Sequence, residues 1–182
     1  MTEQQQVIDQ TVKWVKDVII KYNICPFARR EIERGSIRCI TVDESKIDKV
    51  LEQLIIECEF LDENSEIETS LVVIPRGFEG FYPYLDLVDI ANELLIEQGY
   101  EGVYQIATFH PDYCFDDEPY DEPSNYTNRS PYPTLHLIRE SSLEEALEEY
   151  DEPESIPERN IQFCQRKGGE FFAQLLANCM KP

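Results

Sequence analysis

The chain is poor in the residues that announce chemistry most directly. It has two histidines, His110 and His136, one tryptophan and seven glycines. So few glycines leave no room for a collagen-like or glycine-rich linker segment. Gly77 and Gly80 in RGFEG do not build a phosphate loop, and neither a Walker pattern nor G-x-S-x-G occurs. The six cysteines contain no C-x-x-C pair and the histidines no H-x-x-x-H spacing, so the ligand patterns of zinc or iron sites are missing. Basic residues are scarce: 16 Lys and Arg stand against 37 Asp and Glu, a net charge of −21. Binding to nucleic acid is therefore not expected, because it depends on Lys and Arg neutralising phosphates. The same repulsion argues against an anionic membrane surface. No apolar run approaches the roughly 18 residues of a membrane span. The first residues, MTEQQQVIDQ, lack the charged and apolar regions of a secretory signal, and the expected setting is a reducing cytoplasm with free thiols.

What is present belongs to a globular protein, with 42% apolar residues, nine Phe and ten Tyr. The length suits a single domain, 1–182, with residues 148–182 as a C-terminal helical extension packed on it. Apolar residues at Ile8, Val12, Val15, Ile19 and Tyr22 predict a first helix ending near Asn23, and Pro26 predicts a short second one beginning around Cys25. Strands are expected at Ser36–Val42, Thr69–Pro75, Val103–Phe109 and Thr134–Arg139, with amphipathic helices between the first three. Ser141 or Ser142 and Ser155 offer capping boxes for later helices. The reading is an α/β or α+β fold: a mixed sheet of about four strands packed with helices, ferredoxin-like or thioredoxin-like. Two strand–helix–strand units imply parallel neighbours, with the last strand free to join antiparallel.

The stretch Gln105–Glu140 stands out. It holds both histidines, five of the eleven prolines, four of the ten tyrosines, and Arg129 and Arg139. A connection this long between two strands is usually functional or disordered, and its aromatic content argues for order. His110 stands at a strand's carboxyl end, where open sheets collect ligands. It is a candidate general base or metal ligand, against a structural histidine that ties the loop down. Arg129, between Asn128 and Ser130, offers a planar fork for a carboxylate or phosphate, or else an ion pair with Asp116, Asp117 or Asp121. Tyr113, Asn128, His136 and Arg139 complete the candidate ligand-binding set around an anionic small molecule. His136 is also readable as a core histidine, and Arg139 as the partner of Glu140.

Cys25 is the sharpest of the cysteines. It precedes a proline at an expected helix start, with Arg29 and Arg30 one turn on, a setting that lowers a thiol pKa and favours a nucleophilic thiolate. Cys25-Pro26-Phe27-Ala28 looks like a glutaredoxin motif whose resolving cysteine is Ala28, which leaves at most monothiol chemistry; a buried inert cysteine is the bland alternative. The acidic tract Asp116-Asp117-Glu118 lacks the loop pattern of an EF-hand and reads as a solvated turn.

Taken together, NICPFARR, QIATFHPDYCF, NYTNRSPYPTLHLIRE and SLEEAL resemble a bacterial family designated domain of unknown function 1415, over about Val12 to Leu147. That resemblance implies a small cytoplasmic protein and no particular activity or cofactor. It marks Cys25-Pro26-Phe27, His110-Pro111, Asn128 to Pro131, and His136 with Arg139-Glu140 as signature positions. Two functional classes follow. One is a small-molecule enzyme or ligand-binding protein whose pocket is built by residues 105–140. The other is an acidic interaction module for a basic protein partner.

Overall fold

The computed structural model describes residues 2–181. The first amphipathic stretch forms α1 (Glu3–Trp14), capped by the Thr2 hydroxyl, and continues as a six-residue π-helix (Val15–Ile20). The single α-helix expected through residue 22 is thus interrupted. Backbone bonds skip to the fifth residue back, from Lys21 N to Lys16 O and from Ile24 N to Ile19 O. Such widened turns are rare and often mark functional positions. Here the wider turn lets three successive apolar residues, Val18, Ile19 and Ile20, all be buried. Asn23 then takes a left-handed conformation, φ 55°, and turns the chain toward Cys25.

Helix α2 (Ala28–Arg34) closes on Gly35 at φ 69°, and β1 (Ile37–Thr41) follows. Then come α3 (Ile47–Glu63), β2 (Thr69–Val73), α4 (Phe81–Glu97) and β3 (Tyr104–Phe109). A long excursion containing one 3-10 turn (Pro123–Thr127) leads to β4 (Thr134–Arg139). Helices α5 (Glu140–Glu148), α6 (Ile156–Lys167) and α7 (Gly169–Cys179) complete the chain. Helix α5 begins before Ser141 and Ser142, so neither serine caps it; the Ser142 hydroxyl instead donates to Glu68.

The four strands form one mixed sheet in the order β1-β2-β4-β3. β1 and β2 are parallel neighbours, while β4 is antiparallel to both β2 and β3. The second strand–helix–strand unit therefore does not give adjacent parallel strands: after the 110–133 excursion the chain returns between β2 and β3 and leaves β3 at the edge. The element order β-α-β-α-β-β differs from the β-α-β-β-α-β plan of ferredoxin-like domains.

Helices cover both faces, and every residue of β2 is buried, as a continuous apolar run predicts. On one face Val72, Leu135, Leu137 and Tyr104 pack under α3 and α4. Within that layer Glu57 of α3, 1% exposed, accepts Nε and Nη2 of Arg38 at 2.8 and 3.2 Å and the Ser70 hydroxyl at 2.6 Å. On the other face Leu71 and Val73 pack under α1, the π-helix, α6 and α7. Alternation along the strands places Ile37, Thr69, His136, Ile138 and Phe109 on this second face. Both cavities described below open there.

Candidate functional site

The 110–133 excursion is ordered by side chains that bind its own backbone. His110 is fully buried against Phe81 and Tyr84, with ring centroids at 5.3 and 5.0 Å. Its Nε2 donates to the Phe78 carbonyl at 2.9 Å, and its Nδ1 accepts the Asp112 amide at 3.0 Å. A carbonyl only accepts and an amide N–H only donates, so this tautomer is set and the ring is neutral. Burial pushes its pKa below the usual value. With both nitrogens engaged, the acid/base role expected for His110 has no free atom to act through.

Arg129 is also buried, but neither an anion clamp nor an ion pair describes it. Nε donates to Tyr113 O at 3.0 Å and Nη2 to Tyr120 O at 2.6 Å. The guanidinium lies over the rings of Tyr120 and Tyr126, 4.4 and 4.6 Å from their centroids. Tyr113, whose carbonyl serves Arg129, packs between Phe81 and Phe115. Asn125, fully buried and passed over in the sequence, accepts Phe115 N and donates to Pro119 O, at 3.0 and 2.9 Å. Asparagine in a proline-rich turn is suited to such substitution for missing backbone partners, which is the one local signal that pointed to it. Arg139 does not pair with Glu140; it reaches the carbonyls of Leu61 and Asn64, where α3 ends, and the Tyr104 hydroxyl. A cation there complements the helix dipole.

The larger cavity, about 480 Å³, lies beside this scaffold. Its apolar wall comes from Ile19, Ile24, Phe109 and Phe115 and from Ile156, Pro157 and Ile161 at the start of α6. Cys25, Ser124, Thr127, Asn128 and Asn160 add polar groups, and the exposed Asp116 and Glu118 stand at its edge. Most of these polar groups are already engaged. Asn128 bridges Thr108 O and the Thr127 hydroxyl, and Asn160 donates to Ile24 O at 2.8 Å. Next to it, Arg159 reaches the Asn23 carbonyl, so two successive residues of α6 hold the turn before Cys25. Nothing local in the sequence linked α6 to that turn.

Cys25 also lines a second cavity of about 120 Å³, with Phe27, Ile37, Thr69, His136, Ile138 and residues of α2 and α5. Its thiol receives the amides of Phe27 and Ala28, which favour a thiolate, yet burial outweighs them and raises its pKa. Helix α2 starts three residues later, and Arg29 is turned to the Ile20 carbonyl while Arg30 meets Glu31 and Glu149. Burial thus opposes the activated thiolate expected here, and neither Arg29 nor Arg30 is turned to the thiol to offset it. Cys25-Pro26 also follows a helix rather than lying in a strand–helix unit, unlike a thioredoxin-type redox motif. His136 lies half-buried in β4, its Nε2 2.5 Å from the Thr69 hydroxyl, and desolvation lowers its pKa to about 4.

The structure thus brings Cys25 together with Asn128 at one cavity and with His136 at the other. His110, Arg129, Tyr113 and Arg139 line neither. Among the described residues no group of three His, Cys, Asp or Glu could hold a metal ion. Comparison with curated proteins and with solved structures gives no match. A family model described as "Protein of unknown function (DUF1415)" matches residues 6–174, which takes in α6 and half of α7 beyond the stretch whose motifs carried the resemblance. The chain belongs to this family.

Proposed function

We propose that this protein binds a small molecule, as a ligand-binding protein or an enzyme, in the cavity of about 480 Å³ between the 115–128 segment and α6. The cavity itself carries the reading: its volume falls within the roughly 300–1,000 Å³ of small-molecule sites, which are mostly apolar with a few placed polar groups. The ligand is apolar over most of its surface. Its polar end meets the Ser124 hydroxyl, which has no hydrogen-bond partner among the described residues, and the Cys25 thiol. An anionic ligand fits poorly. No Lys or Arg lines the cavity, and Asp116 and Glu118 at its edge repel negative charge. A neutral or cationic molecule is the better match. His110 and Arg129 serve this function from behind, by fixing the loop that carries Phe115, Ser124 and Thr127.

A thermal-shift screen of neutral, cationic and anionic small molecules tests this on wild type and on Ile161→Trp, which fills the cavity from a half-exposed position. Neutral or cationic compounds that raise the Tm of wild type and not of the variant support the reading. Hits that are predominantly anionic, or that stabilise both proteins equally, would sink it.

A further inference from the structure

The smaller cavity carries an inference of its own, independent of any ligand in the larger one. Thr69 Oγ1 lies 2.5 Å from both the Leu137 carbonyl and His136 Nε2. A hydroxyl has one proton, and a carbonyl can only accept it, so Thr69 donates to Leu137 and accepts from Nε2–H. The imidazole is thereby held in one tautomer, with the lone pair on Nδ1. Nδ1 has no partner among the described residues. Among the described residues the one buried side-chain nitrogen or oxygen that lacks both a partner and access is Trp14 Nε1, outside this cavity. His136 Nδ1 is consequently open, and the space its ring lines is the cavity of about 120 Å³. Ile37, Ile138, Leu143 and Ala146 make the surrounding wall apolar. Glu31 and Glu68 reach the cavity too, but their carboxylates are engaged by the hydroxyls of Ser36 and Ser142.

An apolar cavity of about 150 Å³ is large enough to take up benzene. The space beside His136 is slightly smaller and differs by one exposed acceptor. We propose that it is a binding site for a small neutral group of aromatic-ring or short-chain size bearing one O–H or N–H donor, which His136 Nδ1 accepts. Anions gain nothing from a lone pair. A donor-free hydrocarbon fills the space but leaves Nδ1 unpaired once water is displaced, which costs affinity.

Phenol and toluene, similar in size and differing in the donor, are the probes. Imidazole nitrogen resonances and amide shifts of the full-length protein are followed by NMR during titration. Phenol should move the Nδ1 resonance of His136 and the amides of Leu143 and Ala146, and bind about tenfold more tightly than toluene. His136→Phe, which keeps a ring in place but offers no acceptor, should erase that preference. Ala146→Leu should abolish binding of both by filling the space, and keeps the test alive if the histidine variant does not fold. Equal affinity for the two probes would overturn the proposal. So would shifts confined to Ser124 and Asn160, which line the other cavity, or no binding at all.

Discussion

At the scale of single residues, the two histidines divide the work differently from what their positions in the chain suggest. His110, at a strand end and before a proline, looked the more chemical of the two, yet Phe78 and Asp112 occupy both of its nitrogens. His136, alternating with leucines in β4, looked like a core residue and retains an open Nδ1. Its pKa of about 4 has a consequence for stability. An unfolded histidine titrates near 6.5, so above that pH the ring is neutral in both states and contributes no pH dependence. Between pH 6.5 and 4 the unfolded chain takes up a proton that the folded site refuses, and stability falls as pH falls. The loss reaches up to about 3 kcal/mol by the linkage relation. Urea unfolding of wild type and His136→Gln at pH 7.5 and pH 4.5 isolates this effect, since the other groups are common to both. The wild type should lose more stability than the variant; a parallel decline would contradict the assignment.

At the scale of elements, the π-helix and α6 jointly place Cys25. The widened turn buries Val18, Ile19 and Ile20 and hands the chain to Asn23 and Ile24, whose carbonyls α6 then captures through Arg159 and Asn160. Asn160→Ala would leave the buried Ile24 carbonyl unpaired, at a cost of roughly 1–3 kcal/mol. The same change should loosen the turn and raise the rate at which iodoacetamide labels Cys25, read by mass spectrometry of that peptide. Unchanged labelling would mean that α6 does not control this thiol. Helices and strands themselves were readable in the sequence, because their apolar periodicities are local properties. The π-turn was not: it keeps the same apolar spacing as an α-helix, and only the choice of backbone partner distinguishes them. Nor was the capping of α3 by Arg139 readable, because the carbonyls it satisfies come from Leu61 and Asn64, more than seventy positions away.

At the scale of the whole molecule, a net charge of −21 works against compaction. Most acidic side chains are at the surface, where like charges repel over distances that salt shortens; the Debye length falls from about 30 Å at 0.01 M salt to about 10 Å at 0.1 M. Raising sodium chloride from 0.01 to 0.3 M should therefore increase the Tm by a few degrees. A decrease would show that the few ion pairs, such as Arg76 with Glu3 and Asp43, outweigh the repulsion. The ligand preference proposed for the larger cavity has the same origin, since the field at its mouth adds to that of Asp116 and Glu118.

Some properties of this protein were determined by the sequence alone. The mixed α/β class, the buried β2, the acidic surface and the family follow from composition, periodicity and short motifs, all readable within a window of a few residues. So did the order of the excursion within Gln105–Glu140, because an aromatic, proline-rich segment between strands has to be held by something. What holds it, and what remains for a ligand, was decided only by tertiary structure. Whether a polar group acts or merely supports depends on which of its hydrogen-bonding atoms are already taken. The distant takers lie 32 residues away for His110, whose other partner is the nearby Asp112, 67 for His136 and 136 for Asn160. No local pattern encodes those distances. The insertion of β4 between β2 and β3 set one of them, and the return of α6 to the first turn set another.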